Sequence, residues 1–440
     1  MYKYRSFTLI TDNGPYITKL LLEAPVELSA VHLSLDLLNV YVERRNISDG
    51  ELFMSSKTWM GPKIYPSKGY REIRAIYPCD EQGNRTDSSK IIAVEMPYGP
   101  SYPLGQSISP SGMMNEYVTC NYRVTQVKEI PGVPPVSGMV FDECAGDICN
   151  QTKGWAHGKS SLAALPLAYG YFTPDFEELR KPSAGGPFAP PKKEIPAKVP
   201  LVIWLHGAGE GGIDPTIAYT GNKVVAISAP DIQNKLGGAA WVLAPQCPTM
   251  WMDNGTGVYT TDGKSKYTEA LKACIDEFVE LHKAEIDENR IFIGGCSNGG
   301  FMTMRMIVDY PTYFAAAYPV CEALYDDVIS DTDIENIKTL PIWFTHAAND
   351  PVCRPNITII PTFNRLRAAG GANIHASYFP NIVDATGMYK DDLGRPYEYI
   401  GHFAWIHTYN DFCMYDMDGT RVMWGGEPMT LWTWLGLQGK

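Results

Sequence analysis

The chain has 440 residues, with 45% apolar and 20% charged side chains, a balance that excludes a disordered chain, a collagen-like fibre and a coiled coil. Its net charge of −12 repels phosphate backbones and anionic membranes, so neither nucleic acid nor a membrane is expected as a partner. No apolar run approaches the ~20 residues of a membrane helix. The first residues lack the long apolar stretch of a secretory signal, and a cytoplasmic location is expected.

The ten cysteines fall short of disulfide density, and Cys144 and Cys149 lack zinc-site spacing. With no HExxH and eight scattered histidines, no metal is expected.

The first ~130 residues read as β structure. Val118, Cys120, Tyr122 and Val124 alternate with Thr119, Asn121, Arg123 and Thr125, the pattern of a strand with one buried face. Shorter runs lie at Tyr4–Thr11, Tyr16–Leu22, Glu27–Leu35, Leu38–Val42, Glu72–Tyr77 and Lys90–Met96, separated by turn clusters. Short strands at this spacing suggest a small sandwich. Its strand edges offer a surface for self-association, a homo-oligomer contact. Capping a site or binding a polymer are equally open roles. The stretch Ile130–Gly138 reads as a boundary, giving a β domain at 1–135 and a second domain at 136–440. A Pro-rich segment, Pro182–Pro200, reads as a surface excursion.

The second domain alternates apolar strands with helices. Strands are expected at Leu201–Leu205, Trp241–Ala244, Ile291–Gly294, Phe314–Pro319 and Pro341–His346. Between the second and third, Leu271, Cys274, Ile275, Phe278 and His282 form a helical stripe. This order belongs to a mostly parallel α/β sheet with helices on both faces. Ligands of such sheets sit beyond the carboxyl ends of the strands.

Residues Arg290–Met304 carry Gly295-Cys296-Ser297-Asn298-Gly299 between a strand and a helix. This is G-x-S-x-G in the setting that holds a nucleophilic serine on a tight turn. An alcohol is a weak nucleophile and needs a base. Acyl transfer also needs two N–H groups facing the developing oxyanion. Asn298, after the nucleophile, is one candidate; Ala208 in the loop His206-Gly207-Ala208-Gly209 is the other, with Gly209 as second choice. The same loop fits G-x-G-x-x-G through Gly207, Gly209 and Gly212, with Asp231 at ribose-binding distance. Pro215 and Gly221, where a long helix would be required, argue against a dinucleotide site.

The acid is expected after the Pro341–Ala347 strand, at Asp350, with Glu322 and Asp326 as weaker candidates. Of the histidines that follow, His375 lies in a strand-like run; His402 is favoured over His407 because it follows a glycine in a loop. The order Ser, acid, His fits the fold.

These motifs resemble the α/β-hydrolase esterases grouped with polyhydroxybutyrate-depolymerase-like and prolyl-oligopeptidase-like enzymes, in the subgroup with an N-terminal immunoglobulin-like domain. The matching pieces are HGAGEGG at 206–212, APQCP at 244–248 with Trp251, IDENRIFIGGCSNGG at 286–300, Asn349-Asp350, GHFAW at 401–405 and the closing LWTWLGLQ at 431–438. The resemblance implies a serine carboxylesterase acting on a small-molecule ester through Ser297, Asp350 and His402, with no cofactor. A serine peptidase on the same scaffold and a non-catalytic binding protein are the alternatives. Trp251 and Trp405, in loops bordering the site, are candidate substrate contacts. Cys296 and Asn298, flanking the serine, depart from the family pattern, as do the segments 182–200 and 380–400.

Overall fold

A computed structural model describes residues 2–53, 57–58, 61–62, 66–111, 114–131, 135–162, 164–180 and 195–440. Most of the Pro-rich segment expected as a surface excursion lies outside the described residues. The chain divides into two compact units, Met1–Lys153 and Gly154–Lys440.

In the N-terminal unit one hydrogen-bonded path runs through Lys68–Arg71, Leu38–Asn46, Met114–Gln126, Val140–Ile148, Tyr2–Thr11, Gly14–Ser29, Ser88–Glu95 and Ala75–Cys79, with Ile108–Ser111 also pairing to Met114–Gln126. A single apolar cluster takes Val40 and Val42 from one end of this path, Ile92 and Val94 from the other, and Tyr4, Leu20, Tyr122 and Phe141 from between. The sheet therefore closes over itself as two layers about a shared core, the sandwich expected. The contact boundary falls later than residue 135. Val140–Ile148 is the parallel partner of Tyr2–Thr11, and Ser6 and Thr8 hydroxyls donate to Asp147 Oδ1 at 2.5 and 2.9 Å. Eighteen further residues thus belong to this unit.

Arg71 is buried in this core. Its guanidinium donates to Ile17 O, Tyr122 Oη and Pro97 O, each at 2.7 Å, joining three separate chain segments. Tyr122 N–H in turn donates to Tyr4 Oη at 3.0 Å.

The second unit holds an eight-stranded sheet. Its strands are β1 (Trp155–Lys159), β2 (Ala168–Phe172), β3 (Val199–Leu205), β4 (Trp241–Gln246), β5 (Ile286–Cys296), β6 (Ala316–Val320), β7 (Ile342–Ala347) and β8 (Ile374–Phe379). Their order is β1-β2-β4-β3-β5-β6-β7-β8. β1 and β2 run antiparallel to their neighbours; every other neighbouring pair is parallel. β3 and β4 are buried at every residue, as strands covered on both faces must be. Helices α1 (Thr268–Leu281), α2 (Asn298–Asp309) and α3 (Ile359–Ala368) supply such cover; Leu271, Cys274, Ile275 and Phe278 of α1 join the main core. No described helix is long and apolar enough to cross a membrane.

Replacing Arg71 by Met leaves three buried acceptors without their donor. At about 1–3 kcal/mol for each unsatisfied group, a loss of at least about 3 kcal/mol is expected. Hydrogen exchange of amides in Gly14–Ser29 and Met114–Gln126, followed in the full chain, should accelerate accordingly, and unchanged protection would refute the assignment.

Candidate active site

Ser297 sits between β5 and α2 with φ 56° and ψ −115°. This left-handed backbone strains a residue with a Cβ, and such strain persists only where the surroundings over-determine it. They do so here. A Cβ on Gly299 would stand 2.0 Å from Leu205 O, so only glycine lets α2 start this close to the end of β3. Ser297 N–H donates to Val320 O and its carbonyl accepts from Phe301 N–H, both at 2.9 Å.

The structure brings Ser297, Asp350 and His402 together. Ser297 Oγ lies 2.9 Å from His402 Nε2, and His402 Nδ1 lies 2.9 Å from Asp350 Oδ2. A carboxylate only accepts, so Nδ1 carries the ring proton and Nε2 is the acceptor for the serine hydroxyl. Gly401 lets the histidine loop meet the acid loop: a Cβ there would lie 2.1 Å from Asn349 Oδ1. Asp350 and His402 are buried while Ser297 is partly exposed.

Asp350 follows β7. Its Oδ1 accepts from Val352 N–H and Cys353 N–H at 2.8 and 3.0 Å. A second imidazole, missed by sequence reasoning, faces Oδ2: His346 Nε2, at 3.3 Å. The same nitrogen is 2.8 Å from Cys353 O, a carbonyl that only accepts, so Nε2 is protonated. Burial pushes the Asp350 carboxyl up, but hydrogen bonds from His346 and His402 outweigh it and hold the group well below the ordinary carboxylate range.

The alternative acids behave differently. Glu322 is fully buried; burial pushes its carboxyl up to about 8, so it is mainly neutral at pH 7. Its Oε2 accepts from Leu324 N–H at 2.7 Å, and Oε1 has no hydrogen-bond partner among the described residues. Asp326 is engaged by Arg365 at 3.0 Å and Thr362 at 2.8 Å. His375 pairs with Asp416 at 3.0 Å, and His407 stacks on Phe379.

Ala208 opens a short 3₁₀ turn, Ala208–Glu210, and Asn298 opens α2. The N–H groups at such positions have no acceptor within their own turn. His206 orients the first of them. Cys247 N–H donates to its Nε2 at 3.1 Å, which leaves the proton on Nδ1, 2.6 Å from Gly207 O. Burial pushes this imidazole down to about 4, so it stays neutral. Gly207 C=O and Ala208 N–H belong to one planar trans peptide. Fixing the carbonyl therefore fixes the direction of the N–H.

The two departures from the family pattern have local reasons. Asn298 Oδ1 accepts from Trp251 N–H at 2.5 Å, tying the loop after β4 to the start of α2. Cys296 is buried, and Asn222 Nδ2 reaches its Sγ at 3.6 Å and Glu210 Oε2 at 2.9 Å. Trp251 differs from its expected role as a substrate contact. It is 0% exposed, packed against His206 and Tyr267 at ring separations of 5.1 and 5.9 Å, and so braces the loop that starts at His206. Trp405 is also buried, standing edge-on to His402 at 5.6 Å. In the G-x-G-x-x-G stretch the helix that follows Gly212 is only Pro215–Thr220, too short for a dinucleotide fingerprint, in line with the argument from Pro215 and Gly221. The segment 380–400 folds on itself: Ile382–Val383 pairs with Glu398–Tyr399, and Asp384 accepts from Thr386 Oγ1 and Tyr389 N–H.

The comparisons agree with this architecture. The family model for the esterase Ig-like N-terminal domain matches residues 3–134, and that for the prolyl oligopeptidase family matches residues 251–351. NocK of Nocardia uniformis subsp. tsuyamanensis, which is named as an esterase, is 23% identical over 205 residues, covering 42% of this chain and 56% of its own. The chain thus spans about half the length of that curated relative. The crystal structure of a thermostable esterase matches over 100% of both chains, with a TM-score of 0.71 and 22% identity, a likeness of fold.

Two outcomes test the positioning residues. His206→Gln should lower kcat at least tenfold toward the about 10²–10³-fold cost of losing an oxyanion donor, with KM little changed; a KM effect alone would contradict an orienting role. His346→Leu concerns stability. A depressed carboxyl stabilises the fold above its unfolded value of about 3.9, and that contribution is lost as pH falls through the lower folded value. Losing His346 brings the folded value back up. The gap in stability between wild type and variant should therefore be widest at neutral pH and narrow below about pH 4. A gap independent of pH in denaturant titrations would refute the link.

The second unit has the α/β-hydrolase fold, with residues 251–351 similar to the prolyl oligopeptidase family, and the first unit is similar to the esterase immunoglobulin-like N-terminal domain.

Proposed function

We propose that this chain is a serine carboxylesterase working through an acyl-enzyme. The observation that carries the reading is the unbroken relay from Ser297 Oγ through His402 to Asp350, with both contacts at 2.9 Å, on a strained turn beyond the carboxyl end of β5.

In this reading His402 Nε2 takes the hydroxyl proton as Ser297 Oγ attacks the ester carbonyl. The charge that develops on the carbonyl oxygen is met by the N–H groups of Asn298 and Ala208. The imidazolium then returns its proton to the leaving alcohol as the C–O bond breaks. Water repeats the cycle on the acyl-serine and releases the acid, regenerating Oγ–H. Asp350 stays ionised throughout, holding the Nδ1–H tautomer and stabilising the imidazolium. Glu322, neutral and buried, does not compete for that role. Trp405, buried like Trp251, stands edge-on to His402 at 5.6 Å and packs the base in place. The esterase names of NocK and of the thermostable enzyme support the choice of bond.

The prolyl oligopeptidase match over 251–351 favours one second reading, a peptidase on the same relay. Hydrolysis of a short p-nitrophenyl ester beside the matching p-nitroanilide separates the two, and the ester is expected to be cleaved far faster. Ser297→Ala should lower kcat/KM for the ester by about 10⁴-fold or more with an unchanged circular dichroism spectrum, and should abolish labelling by a fluorophosphonate. Retained hydrolysis in a folded Ser297→Ala protein would sink the assignment.

A further inference from the structure

We propose that Cys321, Asp350 and His402 together form a trap for a zinc-class divalent cation, and that loading it switches the centre off. The carboxylate, a ring nitrogen and the Cys321 Sγ lie within 4.8 Å of one another. Tetrahedral zinc, with bonds of about 2.0–2.3 Å, brings its ligand atoms closer than this, so a small inward movement completes the set. All three residues are buried, at 0%, 4% and 3% exposure for Cys321, Asp350 and His402.

Two further observations favour a built site over a chance neighbourhood. Cys321 has φ 37°, a left-handed backbone that a residue with a Cβ adopts at a cost. Its N–H is fixed on Thr345 O at 2.8 Å, so the backbone that carries the thiol is anchored. The donor chemistry also discriminates. Thiolate, imidazole and carboxylate together suit zinc, cobalt or cadmium, whereas magnesium and calcium seek oxygen alone. A water can take the fourth position of a tetrahedral ion held by three protein ligands.

Loading balances without any change of oxidation state. The Cys321 S–H bond breaks, its proton leaves to solvent and a sulfur–metal bond forms. A ring nitrogen of His402 gives its lone pair to the cation. If this is Nε2, that lone pair no longer accepts the Ser297 proton. If it is Nδ1, the ring proton moves to Nε2, with the same result. The loss of activity rests on the esterase reading; the binding does not.

The test uses the full chain with Co²⁺ and Zn²⁺. Wild type should bind one Co²⁺ with thiolate-to-cobalt charge-transfer absorption in the near ultraviolet. Zn²⁺ should abolish p-nitrophenyl acetate hydrolysis, and EDTA should restore it. Cys321→Ala should keep ester hydrolysis, lose the absorption, and need at least tenfold more Zn²⁺ for half inhibition. Cys321→Ser serves if the alanine variant misfolds, since it too lacks a thiolate. Cys144→Ala, at an exposed thiol of the N-terminal unit, should behave as wild type. Ser297→Ala should lose hydrolysis and keep the absorption. No charge-transfer band in wild type, or an undiminished band in a folded Cys321 variant, overturns the trap. Hydrolysis surviving in Ser297→Ala would sink the esterase reading instead, leaving the cobalt spectrum to judge the trap.

Discussion

The second unit turns on the approach of α2 to the end of β3. With Gly299 against Leu205 O, the chain has no room to leave β5 gradually, and Ser297 is forced to φ 56°. That bend does three things at once. It lifts Oγ clear of the sheet. It sets Asn298 N–H at the open end of a helix, where no acceptor waits within the turn. It also anchors Ser297 N–H on Val320 O, so β6, and with it Cys321 and Glu322, is drawn to the same place. The strain is offset by burial over the sheet and α2, where Leu205 and Ile293 of the strands and Phe301 and Met302 of the helix are fully or almost fully covered.

How much of this was legible in the sequence follows from which contacts are local. The glycines around Ser297 announce the turn because the steric demand acts within a few residues. The strands β3 to β7 were legible because each is a short apolar run between breakers. Val140–Ile148 was not. Only Phe141 among its nine residues is buried, so there is no hydrophobic period to find. It is held by backbone pairing to Tyr2–Thr11 and by hydroxyl contacts to Asp147. β1 was hidden for the same reason: Trp155–Lys159 contains no fully buried residue, and it belongs to the sheet through its ladder with β2. His346 and Cys321 were beyond reach too. Both sit in or beside apolar strand ends, where a sequence reads them as core, and only the packing of β6 against β7 shows what they face.

Two carboxyl groups at neighbouring strand ends show how the fold assigns roles without changing residue type in any deep sense. Glu322 and Asp350 both lie out of water. Asp350 collects two backbone N–H groups and two imidazoles, enough to outweigh its desolvation. Glu322 collects a single backbone N–H, and burial raises it to about 8. The number and charge of donors decide which carboxyl is an anion, and an anion is what an imidazole needs to hold its Nδ1 proton. The trio of Ser297, His402 and Asp350 is therefore selected by electrostatics as well as by distance.

The same solution carries a liability. A buried anion is stable only because positive partial charges converge on it, and a proton shared with His402 is one of them. Any cation able to replace that proton, and to add a sulfur ligand from Cys321, competes directly with the relay. Water would ordinarily screen such competition, but the exclusion of water that keeps the relay ordered also strengthens a metal–ligand bond there. The geometry that makes Asp350 a good partner for an imidazole is, on this view, inseparable from the geometry that exposes it to capture.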